Sequence, residues 1–168
     1  LITIGGGLAL TLMAVVLIGM ELNRADQRFL QRYKGLSDLM STELAPALHL
    51  SDERIISKRI KAFLSVAKDD LVLLRAYDLE GTQIYEYGKS ESSTQLNQFV
   101  LNQLPTLQTG QIAIEQSEAS LVLLQPARLA SDEIAGFVGL IWSRLELQNQ
   151  REELITTSVW LILVMLAG

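Results

Sequence analysis

The pattern of apolar and β-prone residues in the middle of the chain predicts a β-hairpin in the stretch LVLLRAYDLEGTQIYEYG, residues 71–88. Two β-prone segments, 71–77 and 82–87, flank the sequence Asp-Leu-Glu-Gly at 78–81. Aspartate favours the start of a turn and glycine tolerates positive φ, so this link is typical of a tight hairpin. We therefore expect the hairpin to form the first half of an antiparallel sheet.

Helical spacing of apolar residues predicts two helices before the hairpin. From residue 22 to residue 48 apolar side chains recur every three or four positions, which indicates a long amphipathic helix. Pro46 lies inside this pattern and would kink or end the helix near its distal tip. Ser51-Asp52 then offers an N-cap for a second helix that ends near Lys68.

After the hairpin the pattern predicts one more helix and three more strands. The helix covers residues 94–104, and Pro105 helps to end it. The strands are predicted at 111–115, 120–128 and 134–143. Five antiparallel strands with helices gathered mainly on one face define the expected fold class, an α+β domain.

Both ends of the chain are free of charge, unlike everything between them. Residues 1–20 contain no charged side chain, and 20 helical residues cover the roughly 30 Å hydrocarbon core of a bilayer. Residues 154–168 are also uncharged but too short to span. We expect a retained transmembrane helix at 1–20, an extracytoplasmic domain at 21–153, and the truncated start of a second transmembrane helix at 154–168. A cleaved signal peptide is the alternative for 1–20, but no small-residue cleavage site follows.

Composition narrows the chemistry of the middle segment. The 14 basic and 19 acidic residues give a net charge of −5, which argues against a nucleic-acid partner because phosphates require a basic face. The chain has no cysteine and a single histidine, His49, so disulfides, thiolate metal sites and His-based relays are not expected. We therefore expect no catalytic residue, no metal site and no cofactor.

The order of elements resembles the PAS-like, single-Cache family of extracytoplasmic sensor domains in bacterial receptors. The features that carry the resemblance are a long helix leaving the first span, the RAYDLEG hairpin at 75–81, and the strand IAGFVGLIWSRLEL at 134–147 that leads to the second span. The layout is similar to the periplasmic parts of hybrid sensor kinases of the GacS/BarA type and of some membrane diguanylate cyclases.

This resemblance implies a homodimeric sensor in the bacterial inner membrane, with residues 21–153 in the periplasm and membrane lipid around its ends. A small molecule or an envelope protein would be its ligand, and a histidine kinase is the favoured cytoplasmic output. A chemoreceptor or diguanylate cyclase sensor region, and a dimerisation or protein-interaction domain without a ligand, remain as alternatives. In the family the ligand pocket lies between the sheet and the loop-helix region after its second strand, which corresponds here to residues 88–107.

One cationic residue on the hairpin, Arg75, suggests how such a ligand would be bound. An arginine facing a cavity can pair with a carboxylate while neighbouring tyrosines close the sides. The alternative interpretation is a solvated arginine on an outer face of the sheet. The candidate ligand-binding residues are Arg75, Tyr77, Tyr85, Tyr87, Arg128 and Trp142.

Overall fold

The computed structural model describes residues 2–67, 70–88 and 93–167, which form four helices and five strands. The helices are α1 (Ile2–His49), α2 (Glu53–Ala67), α3 (Ser93–Gln108) and α4 (Leu145–Ala167). The strands are β1 (Leu71–Tyr77), β2 (Gln83–Gly88), β3 (Ala113–Gln116), β4 (Ser120–Arg128) and β5 (Ile134–Ser143). The chain divides into two compact units, Leu1–Gln31 with Leu145–Gly168, and Arg32–Arg144. The second unit contains the whole sheet.

The sheet is antiparallel throughout, with strand order β2-β1-β5-β4-β3. The last and most apolar strand, β5, therefore lies at the centre, where both of its faces are buried. The predicted bounds of β1, β4 and β5 are confirmed, and β3 begins two residues later than predicted. The five-stranded α+β architecture with a long N-terminal helix is confirmed as well.

The hairpin between β1 and β2 closes through the aspartate that begins its turn. The Asp78 Oδ1 atom accepts hydrogen bonds from the backbone N–H groups of Glu80 (3.1 Å) and Thr82 (2.7 Å). Gly81 has a φ of 82°, a conformation that residues with a Cβ rarely adopt. The hydrogen bonds of the Asp78 side chain and the positive φ of Gly81 thus fix the turn, as the sequence predicted.

The joint between α1 and α2 uses one aspartate for both helices. At the end of α1, the N–H of Ser51 donates to the Leu48 carbonyl (3.0 Å) and the N–H of Asp52 to the Ala47 carbonyl (3.1 Å), which is a Schellman-type cap. The Asp52 carboxylate then accepts bonds from the first N–H groups of α2. Asp52 is therefore the N-cap predicted from the sequence.

The predicted end of α3 at Pro105 is wrong. The helix continues past the proline to Gln108, although proline cannot donate the helical hydrogen bond. Leu107, which lies beyond the proline, is fully buried in the core, and its carbonyl accepts a bond from Gly110 N–H (2.8 Å). Burial of this extra turn outweighs the lost bond.

The helices cover both faces of the sheet rather than mainly one, which corrects the predicted arrangement. Successive residues of β5 point to opposite faces. Ile141 belongs to the core cluster that α3 covers, and we call this side the α3 face. Its neighbour Trp142 packs against Tyr33 of α1 (ring centroids 4.6 Å apart) and Phe63 of α2 (6.3 Å), and we call this side the α1 face. The central strands are buried because helices lie on both sides.

Among the described residues, no helix combines the length and apolar character that crossing a membrane requires. The side chains of residues 1–11, on which the predicted first span depends, lie outside the described part, as do several side chains near the end of α4. The membrane spans therefore stay predictions. Lys68, near which the second helix was predicted to end, and residues 89–92 of the predicted pocket segment 88–107 also lie outside the described residues.

A buried hydrogen bond joins α1 to the central strand, since the Trp142 indole N–H donates to Ser37 Oγ (3.0 Å) and both residues are fully buried. Ser37→Ala leaves the indole without its acceptor, so we expect a loss of about 1–3 kcal/mol in the free energy of unfolding. Chemical denaturation followed by circular dichroism measures it. Ser65→Ala on the exposed side of α2 is the matched control, with an expected change within about 0.5 kcal/mol. Equal values for the two variants would contradict the role given to this bond.

Candidate functional site

Arg75 is buried on the α3 face of the sheet, where it forms an ion pair. The residue is 3% exposed, which excludes the interpretation of a solvated arginine on an outer face. The Nε and Nη2 atoms both donate to Glu86 Oε2, and Nη1 donates to Asn97 Oδ1 (2.5 Å). We call Arg75, Glu86 and Asn97 the arginine cluster. It links β1, β2 and α3.

The register of the hairpin brings the two charges together. Arg75 on β1 lies directly opposite Glu86 on β2, and facing positions of an antiparallel pair share one face of the sheet. Asn97 arrives from α3, where its neighbours Leu96 and Val100 are buried against the same face. Local pairing thus supplies two members of the arginine cluster, and tertiary packing supplies the third.

Tyr77 lies two positions after Arg75 on the same face and is 2% exposed. Its hydroxyl has no hydrogen-bond partner among the described residues. Burial is the larger effect and raises the pKa of Tyr77 to about 12. The neighbouring Arg75 guanidinium opposes part of this rise. The phenol is therefore neutral at physiological pH and offers a donor to any polar group that approaches it.

The structure does not bring the six candidate residues into one pocket. Tyr85 and Tyr87 lie opposite Ala76 and Leu74 in the hairpin, so they project from the face opposite to Arg75. Trp142 is buried on the α1 face against α1 and α2. Arg75 and Tyr77 share the α3 face.

Arg128 is the last residue of β4 and is distant in sequence from the arginine cluster. Its Nη1 atom pairs with Asp132 in the following turn (2.9 Å), and its Nη2 atom donates to the carbonyl of Gly110 just after α3 (3.0 Å). These contacts hold two loops together. Its part in ligand binding stays a prediction, as it does for the other five residues.

Sequence reasoning missed Glu86 and Asn97. Glu86 gave a misleading signal, because counting outwards from the turn at 78–81 places Ile84 opposite Arg75, and a register shift between Ala76 and Tyr77 brings Glu86 there instead. Asn97 had none, since its position depends on how α3 docks. Among the described residues, no group of three His, Cys, Asp or Glu side chains is placed to hold a metal ion.

The Arg75 guanidinium is a group that binds carboxylates, and in the structure it already binds the carboxylate of Glu86. Glu86 accepts the hydrogen bonds that a ligand would take from Arg75. The Glu86 side chain is 28% exposed, so this partner of the pair is in contact with solvent. A ligand carboxylate of similar geometry would compete with Glu86 or Asn97 for the same donors. Such an exchange would loosen either the hairpin or α3.

No protein-family model matches the chain, and no curated protein sequence matches it. Among solved structures, it is similar to the extracellular domain of vpHK1S-Z8, a protein assigned provisionally as a histidine kinase, with a TM-score of 0.56 at 16% sequence identity over 87% of this chain. The chain spans 62% of that domain. At this identity the similarity shows a shared fold, and it agrees with the predicted PAS-like α+β architecture.

A second similarity is to a domain of a protein assigned provisionally to the sensory box/GGDEF family in Vibrio parahaemolyticus. The TM-score is 0.48 at 16% identity, over 83% of this chain and 61% of that one.

Removing the charge of Glu86 tests the buried pair. In Glu86→Gln the buried Arg75 loses its counter-charge, and we expect the free energy of unfolding to fall by about 3 kcal/mol, at the low end for buried pairs because Glu86 is partly exposed. The matched control is Glu43→Gln, which removes one partner of the exposed Arg59–Glu43 pair and should cost less than about 1 kcal/mol. Urea denaturation distinguishes the two. Similar costs would show that Arg75 is not held in a dry environment.

The raised pKa of Tyr77 predicts a loss of stability in alkali. An unfolded tyrosine ionises near pH 10, whereas Tyr77 in the fold ionises near 12. This contribution is fully present below pH 10 and is lost as the pH rises to 12. Between pH 9 and 11 the wild type should therefore lose about 1 kcal/mol more than Tyr77→Phe, which cannot ionise there. Denaturation curves at several pH values measure the difference, and parallel pH profiles would contradict it.

Proposed function

We propose that the chain is the sensor domain of a bacterial inner-membrane signal-transduction receptor, with residues 21–153 in the periplasm. The observation that carries the proposal is the arginine cluster, in which the buried Arg75 is paired with Glu86 within the sheet and bonded to Asn97 of α3, in a fold shared with the extracellular domain of vpHK1S-Z8. A carboxylate-bearing small molecule is the ligand class that fits the guanidinium.

The proposed mechanism exchanges one carboxylate for another. A ligand that takes the Arg75 donors displaces Asn97 or Glu86, so α3 or the β1–β2 hairpin changes its position. Only a ligand with different affinities for the two arrangements can shift their populations. Tyr77 favours a ligand with an acceptor atom, because its hydroxyl has no partner among the described residues.

The route out of the domain would follow the chain. β1 pairs with the central strand β5, and β5 ends at Ser143, which a single residue separates from the start of α4 at Leu145. We propose that a shift of the hairpin reaches α4 through this pairing, and that α4 continues to a cytoplasmic output, a histidine kinase in the favoured version. A homodimer formed along α1 and membrane anchoring by both ends complete the proposal.

A pair of asparagine variants on α3 tests the proposal in the full-length receptor. Asn97→Ala removes the α3 contact to Arg75 while leaving the ion pair, so we expect a several-fold change in basal output and in the response to carboxylate ligands. Asn102→Ala, an exposed asparagine on the same helix, should behave as the wild type. A reporter of the cytoplasmic output measures both.

Two results would count against a ligand-gated sensor. One is an output that is identical in the wild type and the Asn97→Ala variant. The other is a thermal midpoint that no carboxylate of a screened library raises, since a ligand that binds only the folded state must raise it. Together they would favour a protein-interaction or dimerisation domain instead.

A further inference from the structure

Helix α2 concentrates positive charge on one side in a chain that is acidic overall. Arg54, Ser57, Lys58 and Lys61 recur at the spacing i, i+3, i+4, i+7, so they form one stripe along the helix. The opposite side is apolar and packs inward, with Ile56, Ile60 and Ala67 buried. Like charges at these spacings repel each other, so the stripe weakens the helix unless something neutralises it.

The stripe lines a cleft of about 530 Å³ beside β2. This volume lies within the range of small-molecule sites. The residues around the cleft are Glu53, Arg54, Ser57, Lys58, Lys61 and Tyr85. Tyr85 projects from the α1 face, so the cleft lies on the opposite side of the sheet from the arginine cluster.

The cations of the cleft have no carboxylate partner in the part of the chain that the structure describes. Among the described residues, no ion pair involves Arg54, Lys58 or Lys61, whereas the neighbouring Arg59 on α2 is paired with Glu43 (2.9 Å). Of the described residues that line the cleft, Glu53 is the one carboxylate and three are cations. Glu53 lies in the first turn of α2, where the helix dipole already favours a negative charge.

We propose that this cleft binds a multiply charged phosphate-bearing anion. Two of its three cations are lysines, which bind phosphate as point charges, and the arginine fork can pair with two phosphate oxygens. The hydroxyls of Ser57 and Tyr85 supply two more donors. The anion comes either from a free phosphate compound or from a lipid headgroup, since both present the same chemistry. The proposal is independent of the arginine cluster and of its ligand.

Titration of the full chain with inorganic pyrophosphate tests the cleft. The chain is held in phosphatidylcholine nanodiscs, and calorimetry measures the dissociation constant. Lys58→Gln should weaken binding about tenfold, because one charge-assisted contact is lost. Lys34→Gln, an exposed lysine of α1 outside the cleft, is the matched control and should bind as the wild type does. Circular dichroism checks that both variants keep their fold.

A third variant should change the affinity for pyrophosphate in the opposite direction. Glu53→Gln removes the only carboxylate of the cleft and should tighten pyrophosphate binding about threefold, and raising the salt concentration should weaken binding in every variant. A merely structural role for Glu53 cannot produce tighter binding. The proposal is overturned if the wild type does not bind pyrophosphate at millimolar concentration, if Lys58→Gln matches Lys34→Gln, or if Glu53→Gln binds no more tightly.

The source of the anion is distinguished by the lipid. If a headgroup fills the cleft, nanodiscs that contain phosphatidylglycerol should compete with pyrophosphate and raise its apparent dissociation constant several-fold relative to phosphatidylcholine discs, with Lys58→Gln abolishing the difference. If the ligand is a free phosphate compound, the constant should be equal in both lipids. Either result supports the phosphate-binding cleft and identifies its occupant.

Discussion

The position of β5 at the centre of the sheet, with helices covering both of its faces, is the constraint on which the rest of the fold depends. Its Gly139 lets α3 approach closely, since a Cβ there would come within 2.9 Å of Leu124 and 3.1 Å of Leu96. Three residues later Trp142 contacts α1 and α2 on the other face. A strand fixed from both sides cannot move without disturbing a helix. Any displacement of β5 is therefore coupled to both helical layers.

The arginine cluster contributes more to positioning than to stability. Desolvation of two charges offsets most of their attraction, so a buried ion pair adds little net stability, whereas breaking it by removing one partner is costly. The contact also specifies geometry, because the donors of Arg75 fix both β2 and α3 through Glu86 and Asn97. A purely apolar contact would allow α3 to slide along the sheet with less resistance. This directionality makes the cluster suitable for a two-state contact.

The sequence could predict what depends on local patterns. β-prone apolar runs bounded by turn residues defined β1, β4 and β5, and the chemistry of Asp78 and Gly81 defined the hairpin. Prediction from the sequence failed where burial in the tertiary structure outweighed the local preference of the residues. Burial of Leu107 carries α3 through Pro105, and the choice of sheet face for each helix depends on side chains far apart in sequence, such as Ser37 and Trp142. Of the six candidate residues, Arg75 and Tyr77 share the α3 face, whereas the tyrosines of β2 project from the other face because side chains alternate along a strand.

The two polar features of the domain differ in how the solvent acts on them. The Arg75–Glu86 pair is largely removed from water, so dissolved salt screens it weakly. The cations of the α2 cleft are exposed and without carboxylate partners among the described residues, so their field reaches a charged solute and falls off over a Debye length of about 8 Å at physiological ionic strength. Binding at the arginine cluster therefore depends on the shape of the ligand, whereas binding at the α2 cleft depends on the charge of the ligand. Because they lie on opposite faces of the same sheet, a ligand at one does not block the other, and any coupling between them must pass through the strands.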